Sequence, residues 1–141
     1  MSEERLRRDE RGQALVAVAL MLGVAGAAIV GLRAAQERIL ESVRDIRAGE
    51  AAVSAAGAVV ADRHLAYVRL MHGEGGAIAD PDRFLADPAV LDAARAAAAE
   101  LAALNRRQGP AELTVRSSGN GFEVEIVLAG RRHRAEVPPP W

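Results

Sequence analysis

Three histidines, His64, His72 and His133, are the residues best suited to move protons near neutral pH or to bind a metal. On a helix His64 and His72 share a face, but eight residues set them two turns apart. That is too far to grip one ion unless a third ligand bends back between them. Carboxylates gather at Asp80, Asp82, Asp87 and Asp92. Two of these stand directly before a proline, in Asp80-Pro81 and Asp87-Pro88, which is the pattern of a helix start and not of an acid–base pair. Ser42, Ser54, Ser117 and Ser118 lack the strand–turn–helix setting of a nucleophilic serine. The absence of cysteine rules out thiol chemistry and disulfides. Gly73, Gly75 and Gly76 follow a helical run instead of joining a strand to a helix, so they do not form a phosphate cradle. The expectation is a protein that is not an enzyme, with no metal, no cofactor and no small-molecule substrate.

The basic residues number eighteen, all arginine, against nineteen acids, for a net charge of −1. The aromatic set is Tyr67, Phe84, Phe122 and Trp141, and it does not interleave with the arginines. A balanced, aromatic-poor surface excludes nucleic acid as an expected partner.

The element that must position everything else is Gln13 to Leu32, twenty residues without a formal charge. As a helix it is about 30 Å long, the thickness of a bilayer's hydrocarbon core. It is longer than the apolar core of a secretory signal and runs on into a charged helical pattern, so it reads as a retained anchor. Arg5, Arg7, Arg8 and Arg11 crowd the tail of residues 1–12, whereas Arg33, Arg38, Arg44 and Arg47 are spread over a longer segment after the span. That asymmetry predicts a cytoplasmic N-terminus and an extracytoplasmic C-terminal body. Within the span, Ala19, Gly23, Ala27 and Gly31 recur every four residues along one face, where a second helix can approach closely in lipid.

No proline occurs before Pro81, so the helix is expected to continue through residues 33–72. Leu32, Ile39, Ile46, Val53, Val60 and Tyr67 fall at seven-residue intervals and form a narrow seam. That seam suits either a partner helix or the chain's own sheet. Gly49 and Gly57 are candidate bends. The glycine-rich stretch after His72 marks a boundary, leaving residues 73–141 as a small α/β body. There, Asp80-Pro81 starts a short helical turn through Leu85. Asp87-Pro88 starts a helix running to about Arg107, with Val90, Leu91, Ala94, Ala98, Leu101 and Leu104 on its apolar face and Gly109-Pro110 as its stop.

Beyond Pro110 the period becomes two. Leu113 and Val115 alternate with polar neighbours, residues 117–121 read as a turn, and Phe122, Val124, Ile126 and Leu128 share a face opposite Glu123 and Glu125. A two-residue loop at Ala129-Gly130 sets Glu125 against Arg134 and Val124 against Ala135. The expected fold is therefore α+β: a long N-terminal helix, transmembrane then extramembrane, followed by a helix and a three-stranded antiparallel sheet, a pilin-like arrangement.

The run from Asp9 to Ile39, with Arg11-Gly12-Gln13-Ala14-Leu15-Val16 ahead of the apolar helix and an alanine-rich patch from Gly49 to Asp62, resembles the N-terminal region of TadE/TadG-like proteins of tight-adherence (Flp) pilus systems. The resemblance implies a single-pass protein of the bacterial inner membrane, pseudopilin-like in build. Its role would be that of a minor component or assembly factor of a pilus or secretion machine, with other subunits as partners through helix packing. In processed members a peptidase cuts after a glycine, here matched by Gly12 before Gln13, and a glutamate lies five residues beyond. That position is Ala17, which has no carboxylate to pair with a neighbouring subunit's amine in lipid. The departure aligns the chain with the unprocessed, TadG-like side of the group. A membrane-anchored extracytoplasmic binding or sensor module is the alternative function.

Overall fold

The structure is a computed structural model that describes residues 3–73, 80–119 and 121–138, with side chains from Gly12 onward. Most of the glycine-rich boundary stretch and Trp141 lie outside the described residues. In chain order the elements are α1 (Glu3–Gly73), α2 (Pro81–Leu85), α3 (Pro88–Leu104), β1 (Glu112–Ser118), β2 (Gly121–Leu128) and β3 (Arg131–Val137). The chain divides into two compact units, Met1–Ser42 and Val43–Trp141.

The first unit is helix alone. Every described side chain from Gly12 to Glu41 is exposed, including Leu15 at 72% and Val30 at 69%. Large apolar groups left this open have no protein to bury against, and the helix is long and apolar enough to cross a membrane. A helix that is apolar all round is a fit to lipid, not to water.

The second unit has one core. Asp80 and Asp87 cap α2 and α3, their Oδ1 atoms accepting from the backbone N–H of Asp82 at 3.0 Å and Ala89 at 2.9 Å. Pro81 and Pro88 occupy the first helical turn, where no intrahelical donor is needed. The helix α3 ends at Leu104, short of the expected Arg107 and well before Gly109. The cause is local. Arg106 takes φ 58°, and the N–H groups of Arg106 and Arg107 bond back to the carbonyls of Ala103 and Ala102 at 2.8 and 2.9 Å. This is a left-handed helix stop with arginine where glycine is usual. Gly109 serves the fold differently, as the place where the returning chain meets Ala99.

The sheet is an antiparallel meander in the order β1-β2-β3. Glu125 faces Arg134 and Val124 faces Ala135, the register expected from the Ala129-Gly130 loop. Both loop residues have positive φ, 51° and 74°, as the tight hairpin turn requires. Phe122, Val124, Ile126 and Leu128 are buried on one face, and the helices cover it.

The face that α1 lends to this core takes in the seam residues Val53 and Val60 and is wider than the seam. Its buried positions are Ala48, Gly49, Ala52, Val53, Ala56, Gly57, Val60 and His64, a stripe made mostly of small residues. Gly49 lies against the His133 ring, and a Cβ on Gly57 would stand 3.1 Å from Val137 Cγ2. The helix continues through both glycines, and both are contact points for β3. On α3 the buried stripe is Val90, Ala94, Ala98 and Ala102, while Leu104 is 73% exposed. Val90, Ala94 and Ala98 are where the sequence places them; Ala102 joins them, Leu91 and Leu101 are half-buried, and Leu104 falls outside the face, because a close helix–sheet approach leaves room for little more than alanine.

Candidate interaction surfaces

The packing residues read from the sequence separate into three groups. Ala19, Gly23, Ala27 and Gly31 lie in the first unit and are exposed, and a Cβ at Gly23 or Gly31 would meet nothing within 4 Å. Gly12 and Gln13 are also exposed at the start of the apolar run. Ile39 and Ile46 are 63% and 38% exposed. Val53 and Val60, by contrast, are 3% and 0% exposed and belong to the core of the second unit. They are committed to the chain's own sheet, since removing a buried valine from its core costs about 1.5–3 kcal/mol of burial. The seam is thus not one continuous partner surface.

The histidines are dispersed in role. The His64 ring sits in an aromatic cluster, 5.1 Å from Phe84 and 4.7 Å edge-on to Phe122, with Tyr67 against Phe84 at 5.7 Å. Burial pushes its imidazole below the ordinary value of 6.5, because charging it there forfeits hydration. His72 is exposed, with Nδ1 bonded to the Val68 carbonyl at 2.9 Å. His133 packs on Gly49, with a covered Nε2 that has no hydrogen-bond partner among the described residues. Among the described residues no group of three or more potential ligands could hold a metal ion. Asp80 and Asp87 are caps, and Asp92 pairs with Arg95 at 3.7 Å.

The open face of the sheet is charged. Arg134 Nη2 donates to Glu125 Oε2 at 3.1 Å, and its Nη1 lies 3.3 Å from Glu123 Oε2. The Glu125 hydrogen bond, then the Glu123 charge, raise the Arg134 guanidinium above its ordinary value. Arg132 approaches Glu125 at 3.9 Å. A contact that sequence reasoning missed is Asp45 Oδ1 to Arg107 Nε at 2.6 Å, both side chains mostly covered. It lies off the hydrogen-bond direction and so acts as an ion pair. It ties α1 to the segment after α3, and no local pattern in the sequence pairs residues so far apart.

Comparisons of the chain with protein-family models, with curated proteins and with solved structures find no match. The geometry therefore stands on its own. It defines an α+β chain with one apolar helix suited to a membrane and a small body with a charged sheet face.

Proposed function

We propose that this chain is a single-pass, membrane-anchored structural subunit of pseudopilin-like build, a TadE/TadG-like minor component or assembly factor of a tight-adherence pilus or related secretion system. The observation that carries the proposal is that α1 holds both an exposed apolar segment, Gln13 to Leu32, and the stripe from Ala48 to His64 on which a three-stranded sheet rests. One helix serving as anchor and as spine of a small α+β body is the build of pilin-like subunits. The Arg11-Gly12-Gln13 start supports the same family. In the bacterial inner membrane the arginine-dense tail stays cytoplasmic and the body is extracytoplasmic. Work of this kind needs packing surfaces, not a catalytic centre: Ala19, Gly23, Ala27 and Gly31 offer close approach in lipid.

Affinity capture of the detergent-solubilised full chain from its native host tests this. The expected result is co-recovery of pilus or secretion components, such as the assembly ATPase, the polytopic platform protein or small pilins. Recovery without any of them overturns the proposal. Intact mass of the same material reads processing: with Ala17 in place of the glutamate, the chain retains residues 1–12, and loss of those residues shows cleavage after Gly12.

A further inference from the structure

The strand β1 is an edge of the sheet, and among the described residues no strand pairs with it on the side away from β2. A two-residue loop closes the β1–β2 ladder, because Ser118 faces Gly121. In such a ladder the peptide groups of Glu112, Thr114, Arg116 and Ser118 turn toward β2, and those of Leu113, Val115 and Ser117 turn outward. An unpaired row of this kind is a template for another strand unless it is blocked. Here proline, lysine and bulky inward charges are all absent from the strand itself.

Its side chains are complementary to themselves. If a second β1 runs antiparallel with Thr114 facing Thr114, then Glu112 faces Arg116 of the second copy, Leu113 faces Val115, and the same pairs repeat by symmetry. The outward peptide groups of Leu113 and Val115 then meet each other, as the hydrogen-bond alternation demands. Leu113 and Val115 are only partly buried, whereas their β2 neighbours Ile126 and Val124 are 0% exposed. The core is thin at this edge and has apolar area left to cover. The opposite edge is unsuited to the same use. Its outward residues are Arg132, Arg134 and Glu136; a pairing centred on Arg134 sets like charges opposite, and one centred on Ala135 draws on an Arg134 already paired with Glu123 and Glu125 of its own sheet.

We propose that β1 pairs antiparallel with β1 of a second copy of this chain, centred on Thr114, joining two three-stranded sheets into one of six strands. This interface is independent of the pilus assignment and of any contact between anchors. Two symmetric Glu112–Arg116 pairs fix its register.

The chain has no cysteine, so an introduced one reports alone. Facing residues at a position without mutual hydrogen bonds have Cα atoms about 4.5 Å apart, within disulfide reach. The full chain in mild detergent, as Thr114→Cys, is expected to form a disulfide-linked dimer under gentle oxidation. Glu112→Cys and Arg116→Cys are each expected to stay monomeric, since a residue and its own copy there are about 13 Å apart along the strand. A mixture of the two is expected to link. Glu136→Cys on the other edge strand is expected not to link. Glu112→Arg without added cysteine sets like charges opposite and is expected to weaken the dimer roughly tenfold. The proposal is overturned if folded Thr114→Cys protein, judged by unchanged amide exchange in β2, gives no dimer. It is equally overturned if Glu112→Cys and Arg116→Cys each link alone as readily as their mixture. Should Thr114→Cys fail to fold, the mixture decides.

Discussion

Replacing Gly49 with alanine should have opposite effects depending on what stands at position 133. In a helix interior alanine is favoured over glycine by about 1 kcal/mol. At Gly49 the added methyl is directed into the Nε2, Cε1 and Cδ2 atoms of His133. Overpacking of a filled contact costs about 1–3 kcal/mol. The register with β2, set from Phe122–Val137 to Leu128–Arg131, fixes the backbone of β3, so relief has to come from the ring swinging off Gly49 and giving up its packing there. Gly49→Ala is therefore expected to destabilise the second unit by up to about 2 kcal/mol, the collision less the helix gain. In a His133→Ala background the collision is gone, and the same substitution is expected to stabilise by about 1 kcal/mol. The coupling between the two sites is then about 1–3 kcal/mol. Urea unfolding of the full chain in mild detergent, read by amide exchange in β2 and β3, measures all four corners of the cycle. A stabilisation of equal size in both backgrounds would refute the argument that α1 and β3 approach through this glycine.

Two backbone positions carry avoidable strain. Arg106 and Ala129 both hold positive φ, and glycine at either is expected to stabilise by about 1 kcal/mol, read as a higher urea midpoint; no change at either position contradicts the turn geometry. The His64 imidazole, lowered by burial, makes stability pH-dependent. The unfolded chain takes up this proton first, so the contribution is complete above an ordinary value of 6.5 and is lost as pH falls through the lower folded value. The urea midpoint should fall between pH 7.5 and pH 5, and His64→Phe should flatten that slope; an unchanged slope removes His64 as the cause. In the first unit, Gly23→Leu with Ala27→Leu should weaken association between anchors in membranes, because bulk on that face separates the helices. Unchanged association in a membrane two-hybrid readout would show that this face is not used.

Local chemistry made much of the second unit legible. Asp80-Pro81 and Asp87-Pro88 name their helices because cap and ring geometry act within a few residues. Ala129-Gly130 sets the register of two strands because loop length and the period of two leave one alignment that buries Val124 and Ile126. What was not legible is which small residues are covered. A heptad of large side chains joins Ile39 and Ile46 to Val53 and Val60, yet only the two valines are buried, and Ala48, Ala52 and Ala56 are buried with them. Alanine and glycine carry little hydrophobic signal of their own, and the depth of their burial depends on how close β3 comes. The end of α3 differs for another reason: Arg106 adopts a conformation that its side chain disfavours, and it is flanked by local bonds from the Arg106 and Arg107 N–H groups to the Ala103 and Ala102 carbonyls. For the interaction surfaces, the sequence offered no sign of the Asp45–Arg107 pair, whose members lie far apart in the chain.

In the proposed arrangement Gln13 to Leu32 crosses a membrane once, with the tail on the cytoplasmic side and the body beyond it. A chain without native cysteine makes the measurement direct: single-cysteine variants Ser2→Cys and Glu136→Cys, treated with a membrane-impermeant maleimide in spheroplasts. The expected result is labelling at position 136 and protection at position 2 until the membrane is permeabilised. Labelling of position 2 with protection of position 136 would contradict the orientation, and release of the full chain into the soluble fraction would contradict the anchor itself.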